Sequence, residues 1–550
     1  MKKIVSLALV LVLCLCALPF TVFAAESDFE FTVEDGKATI TKYVGAGGKV
    51  AIPSTLGGAT VVAIESKAFY QNRDITTVTM PNTVTTMGYS VFEGASSLSQ
   101  ITLSTALTVI PERTFYEALQ LYSVNFPAGL TEIKKYAFYK TSIDTVVLSN
   151  KVTTIGDNAF RSCGYLNNVD LPASITDMGI GVFYGCGSLT EFTLPAGLTT
   201  IPSSTFTGCK DLTKIVVAEG VTSIGTGAFS RCDNLTDVSL PSTLESIGGT
   251  AFSECIGLKH IDIPQSVTFI GNNAFSQCTN LENLVLPANL QKLGNKVFYK
   301  CGKITEMVIP EGITELGTEL FYECVSLQKV TLPSGITAIP DFCFSSCDRL
   351  VSIDIPEGVT SIGASAFFSC FRLKEIVLPE GVTSIGAKAF YACSELESIN
   401  IPDGVTQLHE KTFQYCVALK SVAMGSGVQS VHEDAFDACP VSQIAGYAGT
   451  FAESYAAQIG ADFKAITPTD VPVEEIPYGD VNGDEKVDAK DALMVLKATV
   501  GKITLTEEEA LCAEVDAKEG INAKDALEIL KYTVGKIDVF PIEKSEKPVA

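Results

Sequence analysis

Phenylalanine marks a regular spacing of hydrophobic positions along most of the chain. It recurs at positions 69, 92, 115 and 138, then after one 22-residue step at 160, 183, 206 and every 23 residues to 436. Within one interval, Leu189, Phe192 and Leu194 are separated by polar residues, as the inward side chains of a half-buried strand are. The pattern predicts seventeen stacked rungs, each consisting of one strand and a return turn.

Proline and glycine divide each rung into strand and turn. Pro172, Pro195 and Pro241 follow strands, and they end them because proline cannot donate a ladder hydrogen bond. Gly225 and Gly248 are expected to supply the next bend. With strands about 4.8 Å apart, the rungs predict a solenoid roughly 80 Å long that offers a large surface and not a cavity. A period of 23 lies in the range of leucine-rich repeats, so we predict a right-handed α/β solenoid of mostly short strands.

Cysteine follows the same period from position 163 to position 439, thirteen times in all. Each lies three residues after the phenylalanine, in the place of a small buried hydrophobic residue. Many cysteines in a secreted chain would ordinarily indicate disulfides, but side chains on neighbouring rungs point the same way and not at each other. We therefore predict a ladder of free, buried thiols. Cys343 and Cys512 lie outside this ladder and are interpreted as small buried residues.

Composition and charge exclude two classes of binding partner, and the N-terminal residues predict secretion. The 550 residues are 46% hydrophobic, and their net charge of -24 excludes nucleic acid and anionic membrane surfaces as partners because no basic stripe is present. Lys2 and Lys3, an apolar run and small residues up to Ala24 predict a signal peptide at 1–24 and secretion. No second hydrophobic span follows. Cys14 and Cys16 each follow leucine and not a small residue, so lipid attachment is not expected.

The repeat A-F-x-x-C-x-x-L-x-x-I-x-L-P-x-G-V-T-x-I-G resembles the BspA-type (Treponema-type) leucine-rich repeats of bacterial surface proteins, over roughly residues 27–467. The resemblance implies a cap hairpin and first rung at 25–66, repeats at 67–439 and a C-terminal cap at 440–467. The hairpin is expected between Phe31 and Tyr43. A closing helix and strand are expected between Ile444 and Phe463, because a solenoid must cover its terminal apolar faces.

The repeats offer little catalytic chemistry. Exposed strand positions are mostly polar, no aromatic stripe is expected across the rungs, and no carboxylate pair stands out, so we predict that the chain is not an enzyme. His409 and His432, 23 residues apart, are each followed by glutamate and form a candidate metal pair with Glu410 and Glu433. The alternative is that both histidines replace turn glycines on the solvent side. His260 is expected to be exposed.

A proline-rich linker at 468–478 leads to a predicted small domain at 479–540 and a tail at 541–550. The domain begins with D-V-N-G-D-E-K-V-D-A-K-D, which places oxygen ligands at the spacing of a calcium loop. The predicted ligands, with Lys486 contributing its carbonyl, are Asp480, Asn482, Asp484, Lys486, Asp488 and Asp491. A helix follows, with Leu493, Leu496 and Val500 on one face, and no helix precedes either loop.

A second copy follows 34 residues later: N-A-K-D-A-L-E-I-L-K-Y-T-V-G-K-I repeats D-A-K-D-A-L-M-V-L-K-A-T-V-G-K-I. Its loop would use Glu514, Asp516, Gly520, Asn522 and Asp525. Lys518 stands where a carboxylate should, and a fixed cation beside the metal lowers affinity. We predict one firm calcium site and one weak or absent site.

The doubled loop and helix after a linker resembles the dockerin, the module that attaches proteins to cohesin domains of scaffoldins in cellulosome-like complexes. The resemblance implies an all-α calcium-binding domain whose calcium ligands are the residues of the first loop. It places the cohesin-recognition pairs at Ala489-Lys490 and Ala523-Lys524. Because the two pairs are identical, the module could dock in either of two orientations.

These features predict a secreted, non-catalytic component of a cellulosome-like complex. The dockerin would bind a cohesin with Ca²⁺, and the solenoid would bind a protein or a polysaccharide surface. An adhesin that binds host or neighbouring-cell proteins is the alternative. A third hypothesis is an enzyme of polysaccharide degradation, but no residue pattern in the repeats supports it.

Overall fold

The computed structural model describes residues 24–282, 284–466, 478–482, 486–500, 502–506, 510, 512, 513, 515 and 521–533. They belong to two compact units, one ending at Lys464 and the other beginning at Ala465. The predicted signal peptide, linker and tail lie outside the described residues, apart from Ala24 and Tyr478 at their edges.

The first unit opens with a cap. After a 3₁₀ turn at Glu26–Asp28, strand Phe29–Glu34 pairs antiparallel with Lys37–Tyr43, which confirms the predicted hairpin. Strand Thr55–Leu56 pairs antiparallel with Ala59–Ile64. From there onward the described strand pairs of the repeats are parallel, as the stacking of successive rungs requires.

Two series of short parallel strands follow the repeat. The first series contains the alternating hydrophobic positions, and its members are Gly48–Ala51, Ile75–Thr79, Gln100–Thr102, Ser123–Val124, Thr145–Val147, Asn168–Asp170, Glu191–Thr193, Lys214–Val216, Asp237–Ser239, Glu306–Val308, Lys329–Thr331, Ser398–Ile401, Ser421–Met424 and Gln443–Gly446. Partners lie one repeat apart, for example Phe192 beside Ile215. Leu189, Phe192 and Leu194 are buried as predicted.

The second series begins with Lys37–Tyr43 of the cap and continues with strands that follow the turn after the first strand of a rung. Its members are Lys37–Tyr43, Ala59–Ile64, Thr86–Met87, Val109–Ile110, Glu132–Ile133, Thr154–Ile155, Asp177–Met178, Thr200–Ile201, Ser223–Ile224, Ser246–Ile247, Phe269–Ile270, Lys292–Leu293, Ala338–Ile339, Ser361–Ile362, Ser384–Ile385, Gln407–Leu408 and Ser430–Val431. Gly225 follows this series, but the reason that glycine is required there is not the expected bend. A Cβ there would lie 2.6 Å from the Ser203 backbone nitrogen, so close approach of rungs requires glycine.

The third side of each rung is a turn built around the periodic phenylalanine, and we call it the turn edge. Its backbone also bonds to the next rung, as when Phe206 N donates to Ala228 O at 2.7 Å. In many rungs, residues two before and two after the phenylalanine are left-handed, for example Lys388 (φ 59°) and Ala392 (φ 57°). No residue described between 67 and 439 is helical, so the prediction of a solenoid made mostly of short strands is confirmed.

The phenylalanines form the core of the repeats. Successive rings from Phe69 to Phe436 stack with centroids 4.9 to 6.2 Å apart. Tyr43 extends the stack into the N-terminal cap, and Tyr455 of the C-terminal cap meets Phe436 at 6.2 Å. The caps therefore cover the ends of one continuous aromatic column.

The periodic cysteines are free thiols beside this column, buried throughout except for the half-buried Cys439. Each thiol donates to the carbonyl oxygen of the phenylalanine one rung earlier. Cys209 Sγ lies 3.2 Å from Phe183 O, and the contact repeats from Cys163 to Cys439. Cys343 is buried as expected. Cys512 was also predicted to be buried, but it is only half-buried.

The C-terminal cap has the predicted helix and strand. Helix α1, Phe451–Ile459, ends at Gly460 in the left-handed conformation, and strand Asp462–Ala465 joins the last sheet beside Gln443–Gly446. Ala452 and Ala456 are buried against the final rung.

The second unit is built on two equivalent helices, α2 (Ala489–Thr499) and α3 (Ala523–Thr533). The buried residues of this unit form a separate small core that includes Tyr478, Ala492, Val495, Ala526 and Ile529. Ala510, Cys512 and Ala513 are also helical, so helical residues precede the second loop, contrary to expectation. The prediction of a small all-α domain is confirmed by the helices described.

Candidate functional site

The first predicted calcium loop folds around the carboxylate of Asp491, which is fully buried. Its Oδ1 accepts hydrogen bonds from the backbone N–H groups of Val481 at 3.0 Å and Asn482 at 3.1 Å, and its Oδ2 accepts one from Asp488 at 2.8 Å. Asp488 caps helix α2 by accepting from Lys490 N at 2.6 Å. This hydrogen bond lowers the pKa of Asp488, with the Lys490 charge adding to the effect.

The second loop repeats this arrangement in the residues that are described. Asp525 is fully buried and accepts from Val515 N at 3.0 Å and Asn522 N at 2.8 Å. Asn522 caps helix α3 through Lys524 N at 2.9 Å. Asp484, Glu514, Asp516, Lys518 and Gly520 lie outside the described residues.

The donor set of the first loop suits a hard cation. Asp480 and Asp491 bring two buried carboxylates to the loop, and Asn482, Asp488 and the Lys486 carbonyl add further oxygens. Calcium takes six to eight such oxygens. No cluster of three or more His, Cys, Asp or Glu side chains suited to a metal occurs among the described residues, which exclude Asp484.

The helices present a hydrophobic face that their small core does not use. Leu493 and Leu496 of α2 are 51% and 39% exposed, and Leu527 and Leu530 of α3 are 51% and 38% exposed. Ala492, Val495, Ala526 and Ile529 point into the core instead. The predicted recognition pairs Ala489-Lys490 and Ala523-Lys524 are exposed at the start of each helix. Two matching surfaces, each of an Ala-Lys pair and two leucines, therefore face solvent.

The two histidines near the end of the repeats are half-buried (His409) and exposed (His432). His409 and His432 follow Gly386 at steps of 23 residues. The His409 ring contacts the Gln407 side chain, whereas His432 Nδ1 lies 2.5 Å from Asp434 Oδ1. Neither belongs to a metal-binding cluster among the residues the structure describes. His260 is exposed as expected and pairs with Asp262 at 2.8 Å.

Aromatic side chains cross the rungs at the turn edge, which the strand-based sequence analysis missed. Tyr116 and Tyr139 stack at 4.5 Å, Tyr299 and Tyr322 at 5.1 Å, and a third stacked pair occupies the same register further along. The signal was the residue directly after the periodic phenylalanine, which is tyrosine in many rungs.

Comparison with known families agrees with both parts of the chain. The family described as BspA type leucine rich repeat region matches residues 49–167, 131–256, 222–351 and 314–444. The dockerin type I domain family matches residues 478–533. Leucine-rich repeats and dockerins are non-catalytic binding modules, dockerins of type I bind calcium, and a dockerin implies a cohesin partner in cellulosome-like assemblies. No curated protein matches the chain.

Similar solved structures come from several bacteria. A leucine-rich repeat protein from Bacteroides ovatus ATCC 8483 is 24% identical, with 80% of this chain and 98% of that chain covered and a TM-score of 0.46. A leucine rich cell surface protein from Faecalibacterium prausnitzii A2-165 is 24% identical, with 73% and 94% covered and a TM-score of 0.38. The T. pallidum leucine rich repeat protein is 26% identical, with 43% and 90% covered and a TM-score of 0.28.

In the part of the chain that the structure describes, no helix has the length and hydrophobicity needed to cross a membrane. The repeat match spans more than half of the sequence, and the dockerin match coincides with the paired helices. The chain belongs to the BspA-type leucine-rich-repeat family and carries a type I dockerin domain in its C-terminal region.

Proposed function

We propose that this protein is a secreted, non-catalytic component of a cellulosome-like complex, attached through its dockerin to a scaffoldin cohesin. The observation that carries the proposal is the exposed hydrophobic face repeated on α2 and α3. The exposed leucines beside each Ala-Lys pair are not part of the core of the small domain. Binding of a partner protein explains why the same exposed pattern occurs on both helices.

Calcium is part of the proposal. Asp480, Asn482, Asp484, Asp488, Asp491 and the carbonyl of Lys486 would hold the ion in the first loop. A bound Ca²⁺ would balance the buried charge of Asp491 and tie the loop to the start of α2, which carries the recognition pair. The second loop has Lys518 at a ligand position, so it is proposed to bind calcium weakly or not at all.

The repeated geometry supports docking in either of two orientations. Asp491 and Asp525 anchor equivalent backbone groups, and each lies in the first turn of a helix with the same exposed pattern. In the second orientation, Ala523, Lys524 and Leu527 would make the contacts that Ala489, Lys490 and Leu493 make in the first.

The solenoid is proposed as the cargo, a binding module for a protein or a polysaccharide surface. Its many polar strand positions and its aromatic turn edge offer an extended contact surface, as solenoids commonly do. Secretion is proposed on the signal sequence at 1–24.

Retention of the full chain on immobilised cohesins from the source organism tests the attachment. Leu493→Arg alone and Leu527→Arg alone are expected to leave retention nearly intact, and the double variant is expected to abolish it. Leu119→Arg, at a repeat residue that is 50% exposed, is the matched control. Full retention of the double variant would contradict the proposed docking faces.

A further inference from the structure

A cavity of about 430 Å³ opens on the turn edge between three early rungs. It is lined by Lys67, Tyr70, Tyr89, Ser90, Glu93, Glu112 and Arg113. This volume lies within the range of small-molecule sites, and a mixture of aromatic and charged groups is what such sites use to orient a ligand.

One wall of the cavity is preorganised. Arg113 donates to both carboxylate oxygens of Glu93, from Nε at 2.9 Å and from Nη2 at 2.6 Å, and Ser90 Oγ donates to Glu93 at 2.6 Å. The Arg113 hydrogen bond holds the pKa of Glu93 below its usual range. The guanidinium also stacks on Tyr116 at 3.8 Å. This wall is therefore fixed before any ligand arrives.

Lys67 supplies a cation whose charge helps to lower the pKa of Glu93 but which forms no direct salt bridge with that carboxylate. Its ammonium lies 5.4 Å from the centre of the Tyr70 ring and 5.8 Å from that of Tyr89, and it joins none of the salt bridges formed by the described residues. Most lysines of the turn edge differ, since Lys140, Lys296 and Lys300 each pair with a glutamate on a neighbouring rung. Lys67 is thus available to an incoming anion.

The two tyrosines beside Lys67 are open to solvent. Tyr70 is 39% exposed and Tyr89 is 53% exposed. Tyr116 differs, because Arg113 covers one part of its ring and Tyr139 stacks on it at 4.5 Å. Tyr70 and Tyr89 therefore offer aromatic surface to a ligand, whereas the stacked tyrosines offer mainly their edges.

We propose that this cavity binds a carboxylate-bearing sugar unit of an acidic polysaccharide. The carboxylate would contact the Lys67 ammonium, the apolar C–H face of the sugar would pack on Tyr89 or Tyr70, and hydroxyl groups would donate to Glu112. The inference rests on the proposed role of the solenoid as a binding module and names its ligand class.

The charges of the cavity favour this ligand over an acidic protein. Glu93 and Glu112 lie beside the cations, so a surface with several carboxylates would meet repulsion as well as attraction. A single carboxylate surrounded by neutral hydroxyl donors matches both the cation and the acceptors. A neutral sugar would leave Lys67 without its counter-charge.

Calorimetry on the full chain in calcium tests the inference with three probes: a galacturonate trimer, the neutral galactose trimer and a glutamate pentapeptide. We expect binding of the galacturonate trimer and binding at least about tenfold weaker for the galactose trimer. Lys67→Gln and Tyr89→Ala should each weaken galacturonate binding about tenfold. Lys151→Gln and Tyr165→Ala, at exposed repeat positions, should change it less than about twofold.

Equal affinity for the charged and neutral trimers, no binding of either, or an unchanged affinity of Lys67→Gln would overturn the inference. Binding of the glutamate peptide through Lys67 without galacturonate binding would also overturn it, in favour of a protein partner. Cohesin retention is measured on the same variants. The cavity lies in the repeats, so its failure to bind saccharide while cohesin retention is intact would contradict only the saccharide inference. Absence of cohesin retention in the wild type would instead contradict the proposed attachment.

Discussion

Asp491 and Asp525 occupy equivalent places in the two halves of the dockerin domain, and each accepts a backbone hydrogen bond at 3.0 Å from the valine ten residues before it. Both carboxylates are fully buried. The two halves thus keep the same backbone anchor although their loops differ in sequence. What distinguishes them is the rest of the ligand set, above all Lys518 in the second loop.

Calcium titration should therefore find one tight site and one weak or absent site. Asp491→Asn is expected to remove the tight site, because the amide supplies neither the charge nor two equivalent acceptors. Lys518→Asp is expected to strengthen the second site by about tenfold or more, since it replaces a cation by a ligand. Calorimetry measures both. Two equal tight sites in the wild type would show that Lys518 is tolerated in the loop.

The phenylalanine column predicts a large local contribution to stability. Phe252 stacks between two neighbours at 5.2 and 5.5 Å and is fully buried. Phe252→Ala should lower the free energy of unfolding by about 3–5 kcal/mol and uncouple the rungs on either side. Phe371→Ala, at a 43% exposed position, should change it by less than about 1 kcal/mol. Urea unfolding followed by circular dichroism compares them, and equal losses would contradict the account.

The buried thiols predict loss of stability in alkali. Burial raises the pKa of Cys209 from 9.0 to about 12, so the folded thiol stays neutral where the unfolded one ionises. Its contribution is complete below pH 9 and falls as the pH rises towards 12. Between pH 9 and 12, each such thiol lowers the free energy of unfolding by up to about 1.4 kcal/mol per pH unit. The urea midpoint of the wild type should fall between pH 8 and 10.5.

Cys209→Ala isolates one thiol. It should reduce the slope of stability against pH above 9 by the share of a single proton, while its cost at pH 7 reflects the lost packing and the lost hydrogen bond to Phe183 O. A slope that Cys209→Ala leaves unchanged would mean that the thiol ionises in the folded state as readily as in the unfolded state.

Backbone conformation at the turn edge predicts a stabilising substitution. Ala392 has φ of 57°, a conformation that glycine adopts without the steric cost met by alanine. Ala392→Gly should raise the free energy of unfolding by up to about 1 kcal/mol. Ala387→Gly, in the same turn at negative φ, should lower it by about 0.5–1 kcal/mol. Thermal unfolding compares them, and a shift of the same sign in both would contradict the assignment.

The sequence predicted the features that depend on period alone. A phenylalanine every 23 residues determines which side chains share a register, and the buried column from Phe69 to Phe436 follows directly. The caps could also be predicted, because a solenoid must cover its terminal rungs. The spacing of Asp480, Asn482 and Asp491 likewise identified the loop.

Contacts between rungs could not be predicted from the period. The bond from Cys209 Sγ to Phe183 O depends on how the turn presents a carbonyl to the next rung, which periodicity does not specify. The turn-edge tyrosines were missed because alternation describes strands, whereas their positions are set by left-handed residues. The exposure of Leu493 and Leu527 depends on which face of each helix the small core covers, and a helical pattern alone leaves this open.

We expect the dockerin to attach this chain to a cohesin in a calcium-dependent manner. Calorimetric titration of the full chain with each cohesin of the source organism, in calcium and again in excess chelator, tests it most directly. Measurable affinity for at least one cohesin is expected in calcium, and none in chelator. Absence of binding to every cohesin, or binding of equal strength in chelator, would contradict it.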